Sequence, residues 1–246
     1  MQWYKADLHI HTVLSPCGGL DMSPVNIIKQ AIIKKLDIIA ITDHNSTKHC
    51  RLAQEIGERN GITVLAGAEI NTKEEIHCLA FFEDLVKAEK FQEYLDENLN
   101  VIENNPKLFG QQLVVDEEEN ILEEENRLLV ASLKTGIDEI SEYVSSLGGL
   151  CVPAHINRMH SGIYNQIGFL PPGARFDALE VLLSHDFRTF LEQHPETGRY
   201  TQIANSDAHN LGRIGAVSTS YFLEKPEFSE VCLALANREG RKVSSL

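Results

Sequence analysis

The sequence is poor in basic residues, with 22 Lys and Arg against 36 Asp and Glu, a formal net charge of -14 at pH 7. Proteins that grip a nucleic-acid backbone need clustered Lys and Arg, and the basic and aromatic groove of single-strand binders is also missing. We therefore expect no long nucleic acid as a partner. Phosphate chemistry is not excluded, because bound metal ions reverse the local charge of a site.

The chain also lacks long apolar runs and paired cysteines. No stretch is long enough to span a membrane, so we expect no membrane partner. The first residues contain neither the basic nor the apolar segment of a secretion signal. The five cysteines are odd in number and include no C-x-x-C pair, which argues against a disulfide framework. A cytoplasmic location is expected.

One segment near the N-terminus, DLHIHT (7–12), carries ionisable side chains at alternate positions. Asp7, His9 and His11 would share one face of a β-strand, where the Cα atoms of residues i and i+2 lie roughly 7 Å apart. Two imidazoles at that spacing can bind one metal ion. An edge strand with a solvated polar face has the same pattern, so this segment alone leaves both interpretations open.

Along the rest of the chain, apolar runs of strand length alternate with helical patterns. Helices are predicted over 22–36, 47–61, 84–98 and 136–149, and strands over 37–44, 62–70, 75–82, 150–156, 178–184 and 201–209. Ser23 is a suitable N-cap and Pro24 a suitable first helical residue. The alternation, with strands apolar on both faces, predicts a parallel sheet flanked by helices.

Residues 100–135 depart from this alternation. They contain two β-like runs and two acidic clusters, DEEEN and EEEN, and we predict a hairpin or an irregular insertion here. The acidic clusters lack the ligand pattern of a calcium loop and are interpreted as a solvated surface. Because no repeat or low-complexity linker divides the chain, we predict one domain over 1–246 that contains this insertion.

Residues that can bind a metal fall near the ends of predicted strands. They are His9, His11, Asp43, His44, Glu69, His77, His155, Asp207 and His209. A single histidine in an apolar strand is usually a core residue, but so many polar residues would each cost desolvation energy without a shared partner. Active sites of α/β barrels form at C-terminal strand ends. The pattern predicts a metal cluster, and these ligand types suit zinc, iron or manganese.

Five segments, DLHIHT, ITDHN, GAEI, PAHINR and SDAH, occur in this order, and through them the chain resembles the PHP (polymerase and histidinol phosphatase) family from residue 7 to about 216. The resemblance implies an α/β fold, a distorted (β/α)7 TIM-like barrel with two or three divalent metal ions. It also implies a metal-dependent phosphoesterase for a small phosphate monoester or nucleotide. Three alternatives stay open: a histidinol-phosphate phosphatase, another metal-dependent ester or amide hydrolase, and a non-catalytic PHP domain.

The resemblance assigns ligands as well. The first metal would be bound by His9, His11, Glu69 and Asp207. Glu69 would bridge to a second metal held by His77 and His155, and a third would be held by His44 and His209. Asp7 and Asp43 would orient these imidazoles, with Asp43 as an alternative direct ligand. The residues expected to take part in catalysis are Glu69, Asp207, His209 and Arg158.

A phosphate substrate also needs fixed cations. Arg158 and Arg213 each follow a ligand strand into a loop, and Arg175 lies in LPPGARF. All three are candidates for phosphate binding, with Arg158 the foremost, although each could instead be a surface residue.

Cys17 is a further candidate ligand. Members of the resembled family often place a His or an Asp five or six residues after the second histidine of the first motif, as a ligand of the third metal. Here Ser15, Pro16 and Cys17 occupy that stretch, and only the cysteine is a good ligand. A thiolate would favour zinc at this site. The alternative is a half-buried cysteine in a glycine-rich turn.

The remaining histidines carry weaker expectations. His49 and His194 lie in polar surroundings and are expected at the surface. His160 is expected near the site, and His185, which follows a strand, is a candidate proton donor.

Overall fold

The computed structural model describes all 246 residues, Met1–Leu246. The α-helices are α1 (Pro24–Ile33), α2 (Cys50–Asn60), α3 (Leu85–Asn98), α4 (Ile137–Ser146), α5 (Ile163–Gln166), α6 (Phe187–Gln193) and α7 (Phe228–Leu235). The strands are β1 (Gln2–Ile10), β2 (Ile38–Ile41), β3 (Thr63–Asn71), β4 (His77–Phe82), β5 (Leu113–Val115), β6 (Ile121–Glu124), β7 (Leu150–Pro153), β8 (Leu179–Glu180), β9 (Gln202–Ile203), β10 (Thr219–Leu223) and β11 (Lys242–Val243).

The helices begin and end where the local chemistry predicts. The Ser23 side chain accepts a hydrogen bond from the backbone N–H of Asn26, and Pro24 opens α1. Helix α2 ends at Gly61, whose φ of 72° lies in the left-handed region that glycine adopts at little cost. The predicted helix positions are confirmed, although each helix is shorter than its apolar pattern.

A seven-stranded sheet has the order β11-β10-β1-β2-β3-β4-β7. Only β1–β2 and β2–β3 are parallel within it, whereas β3–β4, β4–β7, β1–β10 and β10–β11 are antiparallel. The expectation of a parallel sheet is therefore wrong for much of its width. The reason is local: only residues 72–76 join β3 to β4, and so short a connection makes a hairpin rather than a crossover.

The sheet curls towards the short parallel pair β8–β9. Beyond β7, the Ile156 N–H donates to the Glu180 carbonyl (2.9 Å), and beyond β9, the Ala208 N–H donates to the His9 carbonyl (3.1 Å). These bonds bring the segments that follow β7 and β9 to the same region as the end of β1. The α/β class is confirmed, and the count of seven βα units stays a prediction.

Residues 100–135 contain the hairpin β5–β6. Leu113 and Val115 of β5 pack on Val13, just after the first histidine motif, and the three are buried together. The Asn45 side chain donates to the carbonyls of Leu129 and Ala131. The predicted hairpin is thus confirmed, and it is anchored next to the C-terminal ends of β1 and β2.

Alternate residues of the strands face two apolar cores, as the period of two requires. Ile39 and Ile41 pack with residues of α1 to α4, whereas Ile38 and Ala40 pack with residues of α7. No helix in the structure combines the length and the apolar composition that a membrane crossing needs.

Candidate metal centre

The predicted ligands converge at one edge of the sheet. His9 and His11 lie at the end of β1, His44 follows β2, and Glu69 lies near the end of β3. His155 follows β7, and Asp207 and His209 follow β9. His77 opens β4, which is antiparallel to β3, so the start of β4 meets the end of β3 at this edge.

Glu69 is the centre of the cluster and is 1% exposed. Its Oε1 lies 3.2 Å from His9 Nε2, 2.8 Å from His77 Nδ1 and 3.2 Å from His155 Nε2. Its Oε2 lies 3.3 Å from His11 Nε2 and 3.2 Å from His44 Nδ1. One buried carboxylate thus faces five imidazoles, with each oxygen turned towards a different group, as a bridge between metal ions requires.

The neutral forms of His9 and His11 turn an unprotonated nitrogen towards the cluster. His9 directs Nδ1 at Glu180, 3.1 Å away. His11 donates Nδ1–H to Ser15 Oγ (3.0 Å), because the Ser15 hydroxyl is already donated to Asp43. When both rings are neutral, the Nε2 atoms of His9 and His11 therefore carry no proton, and they lie 3.3 Å apart. Two lone pairs this close repel each other unless a cation lies between them.

The spacing of these atoms suits a metal ion. Asp207 Oδ1 lies 3.4 Å from the Nε2 atoms of both His9 and His11, which completes a triangle with sides of 3.3 and 3.4 Å. Ligands at 2.0–2.2 Å around tetrahedral zinc are about 3.3–3.6 Å apart. The residues present therefore fit a divalent metal ion.

The electrostatics of the cluster also favour cations. Burial lowers the pKa of His11, but contacts with the Asp207 and Glu69 carboxylates outweigh it and raise that pKa to about 9. The pKa of His9 is likewise raised well above its usual range against burial, by Glu180, Glu69 and Asp207. Burial would raise the pKa of Glu69, yet the surrounding imidazoles hold it well below the ordinary value. A divalent metal ion bound here would balance the negative charge of these carboxylates in place of protons on the imidazoles.

Three sets of side chains bring their ligand atoms within 4.8 Å of one another. They are His9, His11, Glu69 and Asp207; His44, Glu69 and His77; and His11, Cys17, His44 and His209. The first set has the four residues that the resemblance assigns to the first metal. The other two differ from the assigned sets, because His44 approaches both Glu69 and Cys17, and because His155, 3.2 Å from Glu69 Oε1, belongs to none of the three sets.

The loop that carries Cys17 folds back over the cluster. The Gly19 N–H donates to the His209 carbonyl (2.8 Å), and the Gly18 N–H donates to the Ser15 carbonyl (2.8 Å). A Cβ at Gly18 would lie 2.2 Å from the Thr12 carbonyl oxygen, so only glycine fits this close approach. The turn brings Cys17 Sγ to the histidines of the third set.

Two candidate ligands have left-handed backbone conformations, with φ of 29° at His155 and 48° at Asp207. Such values are uncommon outside glycine and cost free energy that the surrounding structure must offset. His155 lies two residues beyond β7 and Asp207 four residues beyond β9, and local strain of this kind clusters at functional sites.

Glu180 is the residue that sequence reasoning missed. It is buried at the end of β8 and accepts hydrogen bonds from the His155 N–H (2.9 Å) and Asn205 Nδ2 (2.8 Å) as well as from His9. It therefore fixes the tautomer of one candidate ligand, His9, and the backbone of another, His155. The signal was a carboxylate inside the apolar segment ALEVLLS.

Asp7 and Asp43 act differently from each other. Asp43 accepts from Ser15 Oγ (2.6 Å) and so orients His11 indirectly. The Asp7 oxygens accept the backbone N–H groups of Ser206 and Gly215 rather than an imidazole N–H, so a role of Asp7 in orienting an imidazole stays a prediction. Burial raises the pKa of Asp7 to about 6. Through these two bonds Asp7 fixes the backbone at the start of the SDAH segment and beyond its end.

A cavity of about 460 Å³ opens beside the cluster. Its lining includes His155, Glu180 and Asp207 together with Arg158 and Arg213. Arg158 donates from Nη1 to Asp207 Oδ2 (2.9 Å). Arg175 does not line this cavity; it is exposed before β8, where its N–H donates to Ser141 on α4.

The four remaining histidines are placed as follows. His49 is buried, 1% exposed, and the expectation of a surface position is wrong because the inserted hairpin covers it. His194 is partly exposed and packs on Tyr164. His160 and His185 are exposed, and neither lines the cavity.

The comparisons with known proteins agree with this arrangement. Residues 7–227 match the PHP domain family. The uncharacterized protein YqxK of Bacillus subtilis is 28% identical over 275 aligned residues, which cover 99% of this chain and 64% of YqxK. Among solved structures, the lesion-specific endonuclease PfuEndoQ from Pyrococcus furiosus superposes with a TM-score of 0.74 at 21% identity, over 98% of this chain and 58% of that one.

A second structure of Endonuclease Q, at the same TM-score of 0.74 and 20% identity, contains a 27-mer duplex substrate with an abasic lesion at the active site. It also covers 98% of this chain, which spans 58% of that one. The exclusion of long nucleic acid on grounds of acidity is therefore wrong, since a protein of this fold binds duplex DNA. Net charge averages over the whole surface, whereas binding depends on the potential at the site and on segments outside the shared fold.

Proposed function

Because the chain belongs to the PHP family, we propose that it is a metal-dependent phosphoesterase whose metal ions are held by the cluster around Glu69. The observation that supports this most is the contact of one buried carboxylate with five imidazoles. Neither a structural ion pair nor a helix cap accounts for five imidazoles around Glu69, because an ion pair needs one cationic partner and a cap needs none.

Metal ligation follows from the donor set. His9, His11, Glu69 and Asp207 would hold one ion, and Glu69 would share a second with His77, together with His155 or His44. Cys17, His44 and His209 are the ligands proposed for a third. Divalent ions at such sites lower the pKa of a coordinated water towards neutrality and offset charge on phosphoryl oxygens.

The protein's own contribution is to bind and orient the phosphate. Arg158 and Arg213 line the cavity that reaches Asp207, and a guanidinium matches two phosphate oxygens at once. Arg158 is paired with Asp207 in the structure. When Asp207 is shared with a metal ion, the guanidinium is able to turn to a substrate phosphate. Asp207 would then connect the metal ligands to phosphate binding.

A DNA phosphodiester is the substrate class we place first. The likeness to Endonuclease Q extends over 98% of this chain, and that protein binds duplex DNA at its active site. A small phosphate ester is the second candidate, favoured by the modest cavity of about 460 Å³ next to the cluster.

One substrate panel separates these candidates. The full chain, reconstituted with Mn²⁺ or Zn²⁺, is assayed on a duplex with a single abasic site, on the undamaged duplex, on small phosphate diesters and monoesters including histidinol phosphate, and on simple amides. We expect hydrolysis of diesters, with the abasic duplex preferred, and loss of that activity in Glu69→Gln. Hydrolysis of monoesters alone would favour the second candidate. Turnover of amides alone, or of nothing by fully metal-loaded protein, would contradict a phosphoesterase.

A further inference from the structure

A continuous chain of hydrogen bonds joins the inserted hairpin to the metal ligand His11. The Val115 N–H of β5 donates to His49 Nε2 (3.0 Å). The opposite nitrogen, His49 Nδ1, lies 2.6 Å from Thr12 Oγ1. From there the chain passes through Asp43 and Ser15 to His11 Nδ1.

The direction of every proton in this chain is fixed. Because His49 Nε2 accepts from the hairpin backbone, the neutral ring must carry its proton on Nδ1 and donate it to Thr12. The Thr12 hydroxyl then donates to Asp43 Oδ2 (2.7 Å), and the Ser15 hydroxyl donates to Asp43 Oδ1 (2.6 Å). Ser15 Oγ is left as an acceptor for His11 Nδ1–H.

We propose that His49 is a positioning residue through which the inserted hairpin holds His11 in the tautomer that binds metal. The inference rests on the metal site proposed above and adds a role that the ligands alone do not give. His49 is 1% exposed and does not touch the cluster. Its two ring nitrogens are both used, one for the hairpin and one for Thr12.

The hairpin also contacts residues 12–14 directly, without His49, and these contacts fix the distance between the hairpin and that segment. The Leu113 N–H donates to the Val13 carbonyl (3.2 Å), and Val13, Leu113 and Val115 form a small apolar cluster. The backbone of β5 therefore lies against residues 12–14 whether or not His49 is present. A substitution of His49 therefore breaks the series of hydrogen bonds between Val115 and His11 while the hairpin stays in place.

Two substitutions at His49 separate its hydrogen bond with the hairpin from its hydrogen bond with Thr12. The amide of Asn reaches about where Nδ1 lies in histidine, so His49→Asn keeps a donor for Thr12 and loses the acceptor for Val115. The amide of Gln reaches about where Nε2 lies, so His49→Gln keeps the acceptor for Val115 and loses the donor for Thr12. Thr12→Val removes the hydroxyl without changing the shape.

The test measures the affinity of the folded full chain for Zn²⁺ and Mn²⁺ by competition with a chromophoric chelator, together with hydrogen exchange at the Val115 N–H. We expect His49→Gln and Thr12→Val to weaken the tightest site by roughly 10-fold or more. His49→Asn should weaken this site by a smaller factor, because the donor to Thr12 remains but the hairpin no longer fixes it, and the Val115 N–H should exchange faster. Val231→Ala, a buried substitution on α7, is the control for general loss of stability.

The outcomes are distinct. Equal affinities in the wild type, His49→Gln and Thr12→Val would overturn the positioning role while leaving the metal site intact. Affinities that fall in all variants, including Val231→Ala, in proportion to lost stability would also overturn it. A wild-type chain that binds no metal would instead refute the proposed function, and the positioning role with it.

Discussion

Glu180 holds His9 by a hydrogen bond from Nδ1, 3.1 Å from both carboxylate oxygens, although the two residues are 171 positions apart in the chain. This contact leaves His9 Nε2 free to face Glu69 and Asp207. Loss of a carboxylate that orients a metal-binding imidazole in this way typically lowers metal affinity by about 10–100-fold.

Glu180→Gln should weaken metal binding by roughly 10–100-fold. The amide carries no negative charge, and its NH₂ group cannot accept the hydrogen bonds that His155 N–H and Asn205 Nδ2 donate to Glu180. Chelator competition measures the change. Asp177→Asn is the matched control, since this carboxylate accepts a backbone N–H at the start of β7, away from the cluster. Equal losses in both variants would argue against a specific role for Glu180.

Arg158→Lys should lower the turnover of a phosphate ester by roughly tenfold or more with metal content unchanged, because a lysine cannot match two phosphate oxygens. Steady-state kinetics and elemental analysis on the same sample test this. Arg175→Lys, outside the cavity, should behave as the wild type. Wild-type turnover in Arg158→Lys would make Arg158 a surface residue.

Cys17 is best tested by cobalt substitution. Desolvation and the nearby Glu69 carboxylate raise the pKa of the thiol to about 12, so the thiol stays protonated and alkylation after chelation would be slow whether or not it is a ligand. A thiolate ligand gives Co²⁺ an intense sulfur-to-metal charge-transfer band in the near ultraviolet. We expect this band in the wild type and in Cys50→Ser, and not in Cys17→Ser. A spectrum without it would leave only the histidines at the third site.

The inserted segment should contribute acid-sensitive stability through Glu125. Burial raises the pKa of Glu125, but hydrogen bonds from Arg127 and Lys48 outweigh it and lower that pKa to about 2. The contribution is complete above the unfolded pKa of about 4.3 and is lost as the pH falls from there towards 2. Its size is on the order of 1 kcal/mol.

Urea unfolding at pH 5 and pH 3 measures this contribution. Glu125→Gln should lower stability at pH 5 and show a smaller decrease between the two pH values than the wild type. Glu117→Gln removes a pair with Arg59 in which both side chains are exposed, and it should change little. Identical pH dependence in the wild type and Glu125→Gln would contradict the anchoring role of Glu125.

Much of the site could be predicted from the sequence because strand periodicity is local. His9 and His11 alternate along one strand, and Glu69 ends another, so both positions follow from short apolar patterns. The capping of α1 by Ser23 was equally local.

The missed features depend on distant partners. In the sequence, Glu180 is a single polar residue within an apolar strand, and only the folded structure brings His9 beside it. His49 looked exposed because the hairpin that buries it begins more than sixty residues later. The antiparallel direction of β4 was set by a five-residue connection whose turn the apolar pattern does not reveal. Pairings of this kind arise from tertiary structure.

The central claim is that Glu69 joins at least two metal ions in one cluster. Native mass spectrometry with elemental analysis, on wild-type chain and Glu69→Gln reconstituted with Zn²⁺ or Mn²⁺, measures it directly. We predict two or three ions per wild-type chain and the joint loss of at least two in the variant. Fewer than one ion per wild-type chain after reconstitution, or an unchanged ion count in Glu69→Gln, would contradict the claim.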